Sequence, residues 1–451
     1  MFPLPPASRR AALFLWLSCA ITAIASSATP PPLRFDFGPG PAAAGFIAVP
    51  ADTVYSRERG YGFEPGATVR SVSRPGIDPQ RPDFVTADKP FHFTARLPAE
   101  GNWRVTVTLG DPADASVTTI KAELRRLMIE RIETAPGEFK RVSFVVNTRT
   151  PQIPATGAIA AGQVRLKAPR ETTDEAWAWD DALTLEFSNR QPAVRTVEFE
   201  PIDVPTVFLL GDSTVCDQAK EPFNSWGQMF TRFSKPTVAI ANHGESGETY
   251  RDSIGRRRLD KVLSAMRPGD WLLMQFGHND QKQIAAKSGG PFTTYKAEIR
   301  KHVEGVRSRG GVPVILSPME RRGFDENGKV RGSLADYAMA AKAVAAELDV
   351  AFIDLNALSK PLYEALGVEG SAQAFAAPNG KVDNTHHNNF GSYQLAKCVV
   401  QAIRQQKLAL AAHLVDDFAG FDPAQPDNPA TFAVPASGAF TNQRPLGDEG
   451  R

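Results

Sequence analysis

Five short runs in the second half of the chain, at 206–210, 237–241, 271–276, 312–317 and 350–354, are apolar at nearly every position, and longer stretches separate them. A strand with one wet face alternates apolar and polar residues, whereas a strand apolar throughout is buried on both faces, as in a parallel sheet covered by helices. The stretches 251–266, 294–309 and 334–348 repeat apolar residues at helical spacing. Strand and helix in alternation therefore predict a layered α/β domain over 206–410. Ligands of such open sheets sit beyond the carboxyl ends of the strands, so the polar residues that follow each run are where chemistry is expected.

The first half has a different rhythm. Residues 91–97, 103–109, 141–146 and 182–187 alternate with period two, and Gly and Pro punctuate the gaps. That pattern predicts antiparallel strands and a β-sandwich or jelly roll over 33–200. The boundary between the halves falls at 201–205. Beyond Val415 the chain is rich in Pro, Ala, Asp and Asn, which leaves 416–451 as a tail, either a surface strap or disordered.

At the front, Arg9 and Arg10 precede an apolar run at 11–25, and Ala23 and Ala25 supply a small-x-small cleavage pattern. Residues 1–25 are thus expected to be a signal peptide, with the mature chain starting near Ser26 and acting as a secreted or periplasmic protein. A membrane anchor is the weaker reading, because the run is shorter than the roughly 20 residues a spanning helix needs. Ser8, Arg9 and Arg10 suggest twin-arginine export and Ala12 argues against it, so the route stays open. With 51 basic and 50 acidic residues and a net charge of +1, the chain has no broad field to attract phosphate backbones or anionic lipid. No nucleic-acid partner is expected, and no membrane partner after signal removal. Charged residues at 22% and hydrophobic ones at 42% fit a soluble globular protein without separating an enzyme from a binding module. After signal removal only Cys216 and Cys398 remain, a pair equally compatible with a disulfide and with two buried thiols.

Three runs lead into residues with chemical potential. The first ends in Gly211-Asp212-Ser213-Thr214, placing a serine on a strand-to-helix turn. The second leads into Asn242-His243-Gly244-Glu245-Ser246-Gly247-Glu248-Thr249, and the third into Gly277-His278-Asn279-Asp280. A serine hydroxyl needs a base to take its proton, and that base needs a partner to fix its tautomer. Asp383-Asn384-Thr385-His386-His387 precedes a helix-like segment at 390–405 and offers both within one turn. His386 is the expected base, Asp383 its orienter and His387 a rival. The Ser213 and Gly247 backbone N–H groups and the Asn279 amide are expected to form the oxyanion hole. Singly these signals are weak: Gly-Asp-Ser is commonly a plain turn, Asn279 a helix cap and His278 a satisfied polar neighbour. Their joint placement at strand ends is what raises them. Such acyl transfer requires no metal or cofactor.

The ordered blocks around Ser213, Gly247, Asn279 and Asp383/His386 resemble those of the SGNH (GDSL-like) hydrolase superfamily, over about 207–405. Gly-Asp-Ser-Thr and Asp-Asn-Thr-His make the likeness to rhamnogalacturonan acetylesterases the strongest. The resemblance implies a flavodoxin-like three-layer fold and a serine esterase that uses Ser213, His386 and Asp383 on an acetylated pectic polysaccharide. An acetylxylan or other carbohydrate esterase, and a noncatalytic carbohydrate-binding protein, are the alternatives. Two departures stand out: both Gly244 and Gly247 are candidates in the second block, and Glu245 and Glu248 make its loop unusually acidic. The first half resembles a galactose-binding-like module, through Phe35-Asp36-Phe37-Gly38 and the segment 54–63. Its Tyr55, Tyr61 and Phe63, with Trp177 and Trp179, offer faces for sugar stacking, although aromatics at strand positions are more often core.

Overall fold

Each apolar run of the second half becomes a strand of one parallel sheet in a computed structural model that describes residues 1–3, 30–74, 76 and 83–438. The spatial order is Ala239–Asn242, Thr206–Gly211, Trp271–Gln275, Val312–Leu316, Ala351–Ile353, every pair parallel. The order reverses beside Thr206–Gly211, so a crevice opens at its carboxyl end, where Ser213 lies.

Burial on both faces explains the uninterrupted apolar runs. Val207 and Leu209 face one side with Trp226, Met229, Phe230, Leu395 and Val399, against the helices Trp226–Phe230, Leu355–Leu366 and Asn389–Gln405. Phe208 and Leu210 face the other with Val262, Val303 and Val344, against Arg258–Ala265, Lys296–Ser308 and Ala335–Glu347. This is the expected three-layer, flavodoxin-like α/β sandwich.

In the first half, two sheets stack face to face. One runs Lys140–Thr148, Gly101–Leu109, Val194–Pro201, Leu33–Phe37, Ile47–Val49, with Asp83–Thr86 and Arg70–Ser73 at its side; the other runs Tyr61–Phe63, Phe91–Arg96, Ala182–Ser188, Ser116–Ala122, Arg126–Thr134. The pairs are antiparallel apart from Leu33–Phe37 with Ile47–Val49. Inward residues of both sheets fill the core, where the Phe35 and Phe37 rings meet Phe93 edge-on at 5.0 and 4.8 Å. Tyr55, Phe63, Trp177 and Trp179 are buried, so their faces are spent on packing.

Three findings depart from the expected organisation. The stretch 251–266 is two helices, Tyr250–Gly255 and Arg258–Ala265, because Arg257 between them takes a left-handed φ of 64°. Residues 149–181, between two sandwich strands, leave the sandwich and lie over the α/β half, where Ile153, Val164, Trp177 and Trp179 share a small core with Ala219. The helix Leu355–Leu366, which buries Leu355, Leu362 and Tyr363, is not among the three helices expected. The tail resolves as a strap through 416–438: Phe418 and Val434 are buried, and Lys397 pairs with Asp427 at 2.7 Å. Residues 4–25 of the expected leader, Ser26, and 439–451 of the tail lie outside the described residues.

The two halves form part of one unit, Pro31–Arg451. Buried Arg126 of the sandwich pairs with Asp217 at 2.7 Å, and Gln228 and Thr231 donate to the Leu124 and Leu127 carbonyls.

Candidate active site

The serine turn is held from within. Asp212 accepts from the Thr214 N–H and hydroxyl, and its carbonyl accepts from the N–H groups of Val215 and Cys216. Gly211 leaves no room for a side chain, since a Cβ there would sit 2.5 Å from the Gln275 carbonyl oxygen. Gln218 Nε2 donates to the Ser213 carbonyl at 2.7 Å. These restraints present the Ser213 hydroxyl at the end of its strand.

From far along the chain, the loop before helix Asn389–Gln405 brings the imidazole. Its two arms are stitched by Ala376 N–H to the His386 carbonyl and Asp383 N–H to the Ala376 carbonyl. Asp383 Oδ1 accepts from the Thr385 and His386 N–H groups, while Oδ2 lies 2.9 Å from His386 Nδ1. His386 Nε2 lies 2.9 Å from Ser213 Oγ. Burial pushes the Asp383 pKa up, but its hydrogen bonds to the His386 ring and to the two N–H groups outweigh that and hold it below the usual carboxylate value. An ionised Asp383 fixes the proton on Nδ1 and leaves Nε2 free to accept from the serine. The Phe223 ring meets His386 edge-on at 5.7 Å.

Around this relay lies an open cleft of about 660 Å³ bordered by Ser213, Gly247, Asn279, Phe223 and His386. Gly247 is exposed and adopts a left-handed φ of 78°, whereas buried Gly244 packs on the Cys216 backbone, where a Cβ would come within 3.1 Å. The second-block glycine at the cleft is therefore Gly247. Neither the Ser213 nor the Gly247 N–H meets an acceptor among the described residues. Asn279 is oriented from both ends, its Nδ2 donating to the Glu248 carbonyl at 3.2 Å and its Oδ1 accepting from Lys282 Nζ at 2.8 Å.

The rival groups point elsewhere. His387 is buried, its Nε2 lies 2.8 Å from the Tyr363 hydroxyl, and burial together with the nearby His278 and His386 pushes its pKa down to about 3. His278 Nδ1 lies 3.2 Å from Asp212 Oδ2 beneath the serine turn. Cys216 and Cys398 are both free and buried. Among the described residues no three His, Cys, Asp or Glu side chains converge as a metal site, and no helix is long and apolar enough to cross a membrane.

The two carboxylates of the acidic loop do not border the cleft. Glu248 is fully buried and pairs with Arg258 at 2.9 Å, and Arg258 pairs with Glu171 of the 149–181 segment at 2.5 Å. Glu245 lies 3.5 Å from Arg170 and 3.8 Å from Lys167 of the same segment. Nothing in the sequence linked these cations to the site, apart from two glutamates needing partners.

Residues 209–392 match the model of the GDSL-like lipase/acylhydrolase family, and 33–129 match that of the beta-agarase/YXIM esterase-like, galactose-binding domain-like family. Rhamnogalacturonan acetylesterase RhgT of Bacillus subtilis (strain 168) is 39% identical over 220 residues, which cover 46% of this chain and 94% of that protein. The chain belongs to the GDSL-like lipase/acylhydrolase family. Another relative in Bacillus subtilis (strain 168), the uncharacterized esterase YxiM, is 28% identical over 397 residues, 85% of this chain and 93% of that one. A crystal structure of the Bacillus subtilis YxiM protein aligns with a TM-score of 0.44 at 24% identity, covering 84% of this chain and 99% of that one. By its two family matches, this GDSL-like hydrolase joins a galactose-binding-like region in its first half to a lipase/acylhydrolase domain in its second.

Proposed function

We propose that this chain is an exported esterase that removes acetyl groups from a pectic polysaccharide, rhamnogalacturonan, with Ser213 as nucleophile. The observation that carries the reading is the unbroken relay from Asp383 through His386 to Ser213, with 2.9 Å at each step, opening on a cleft wide enough for a sugar. His386 Nε2 takes the Ser213 proton as Oγ attacks the ester carbonyl. The tetrahedral oxyanion forms beside the Ser213 and Gly247 N–H groups and the Asn279 amide, all donors fixed before the charge develops. The imidazolium returns its proton to the departing sugar hydroxyl, leaving an acetyl group on Ser213. Water, deprotonated by the same nitrogen, then attacks that acyl group, and acetate leaves as the serine regains its proton.

The substrate rests on likeness: the acetylesterase name is that of RhgT, 39% identical over the part it shares. Export rests on Arg9, Arg10 and the apolar run 11–25. Acetate release from acetylated rhamnogalacturonan and acetylated xylan, by the wild type and Ser213→Ala, tests the whole reading. Release from the pectin, abolished in Ser213→Ala, is expected. Near-native hydrolysis of an aryl acetate by Ser213→Ala would remove the nucleophile, and release from xylan alone would remove the pectic substrate.

A further inference from the structure

The segment 149–181 does more than cover the hydrolase half. Lys167 reaches from it to the second-block loop, where Nζ donates to the Ser246 carbonyl at 2.6 Å. That carbonyl and the Gly247 N–H belong to one peptide plane and point in opposite directions, so holding the oxygen aims the N–H. A charged donor on the carbonyl also polarises the peptide, which strengthens whatever the N–H donates to.

The neighbouring contacts make this grip specific. Gly247 has a left-handed φ of 78°, a conformation its own chain does little to hold. On one flank Lys167 holds Ser246; on the other Glu248 is buried against Arg258, which Glu171 pairs from its far side. The backbone of Lys167 is bound to the same Glu171, its N–H donating to Oε2 at 2.8 Å. Both flanks of Gly247 are thus anchored on one short stretch of the 149–181 segment. The Glu248 carbonyl in turn accepts from Asn279, so the second and third oxyanion donors share the restraint.

We infer that Lys167, supplied by a segment inserted between sandwich strands, is a positioning residue of the oxyanion hole that fixes and polarises the Ser246–Gly247 peptide. The inference rests on the esterase reading above, in which Gly247 is a donor. It also assigns the first half a part in the chemistry, since the sandwich carries the segment that completes the hole.

Lys167→Met keeps the length of the stem and removes the shorter of two donors to the Ser246 carbonyl, leaving Arg170 at 3.4 Å, together with the charge that faces Glu245 and Glu248 at 3.8 and 3.6 Å. In the full chain, with an uncharged aryl acetate, kcat is expected to fall about 10- to 100-fold, at most the effect of a misplacement of about 1 Å and less than that of losing a donor outright. KM is expected to stay within about twofold, since ground-state binding makes little use of the hole. Inhibition by phenylboronic acid, whose tetrahedral adduct on Ser213 places an oxygen in the hole, should weaken in the same proportion as kcat. A merely structural lysine would not couple those two readouts. Wild-type kcat in Lys167→Met, or a loss confined to KM, would overturn the inference while Ser213→Ala remains dead. Activity surviving in Ser213→Ala would instead sink the esterase reading itself.

Discussion

At the scale of single residues, two adjacent histidines have opposite fates. The backbone at His387 is extended, bridging to Asn224 and Phe375, and successive side chains of an extended chain point to opposite sides. His386 therefore faces Ser213 while His387 is sealed against Tyr363. Asp383 is three residues from His386 and reaches its ring within one turn, which is why this pair was legible in the sequence. The polarity of the Asn279 amide was not legible, because it is set by the Glu248 carbonyl and by Lys282. Asn279→Ala removes one oxyanion donor and should lower kcat by about 10² to 10³ with little change in KM. Steady-state kinetics on an aryl acetate checks this, and an effect confined to KM would count against it.

At the scale of elements, the break between Tyr250–Gly255 and Arg258–Ala265 is instructive. Apolar periodicity runs through 251–266 and predicts one helix, yet the chain kinks where its arginines are needed elsewhere. Arg257 donates to the Ala160 and Ala161 carbonyls, and Arg258 is buried between Glu171 and Glu248. Local pattern reports which face of a helix is apolar, not which distant carboxylates will claim its polar residues. Arg258→Met leaves two buried carboxylates without their shared cation. Removing one partner of a buried ion pair costs about 3–5 kcal/mol, so the urea midpoint should drop accordingly. An unchanged midpoint would mean that the glutamates are neutral in the fold.

At the scale of the molecule, buried titratable groups set how stability varies with pH. Burial raises Glu123 to about 8, with the Arg126 charge opposing, while an unfolded glutamate titrates at 4.5. The folded chain thus keeps a proton that the unfolded chain has lost, so this contribution is full below 4.5 and disappears as pH rises toward 8. His302 and His387 act in the opposite direction: burial lowers them to about 4 and about 3 from 6.5, so their contribution is present above 6.5 and lost on acidification. Between pH 6.5 and 8 the Glu123 effect is no longer masked by these histidines. Glu123→Gln keeps an oxygen acceptor for the Thr184 N–H. Relative to the wild type it should gain about 2 kcal/mol across that interval, read as a flatter decline of Tm with pH. Parallel Tm profiles would refute this.

What the sequence determined by itself is whatever short-range physics encodes. Double-sided burial marked the five parallel strands, period-two alternation marked the sandwich, and the Asp-x-x-His spacing marked the imidazole and its orienter. Tertiary structure alone decided that Ser213 and His386 meet across 173 positions, and that Gly247 rather than Gly244 borders the cleft. It also decided that Glu245 and Glu248 turn inward to cations lying 75 or more residues upstream or across a helix break. A buried charge must find its partner in space, and no periodicity along the chain records where that partner will come from.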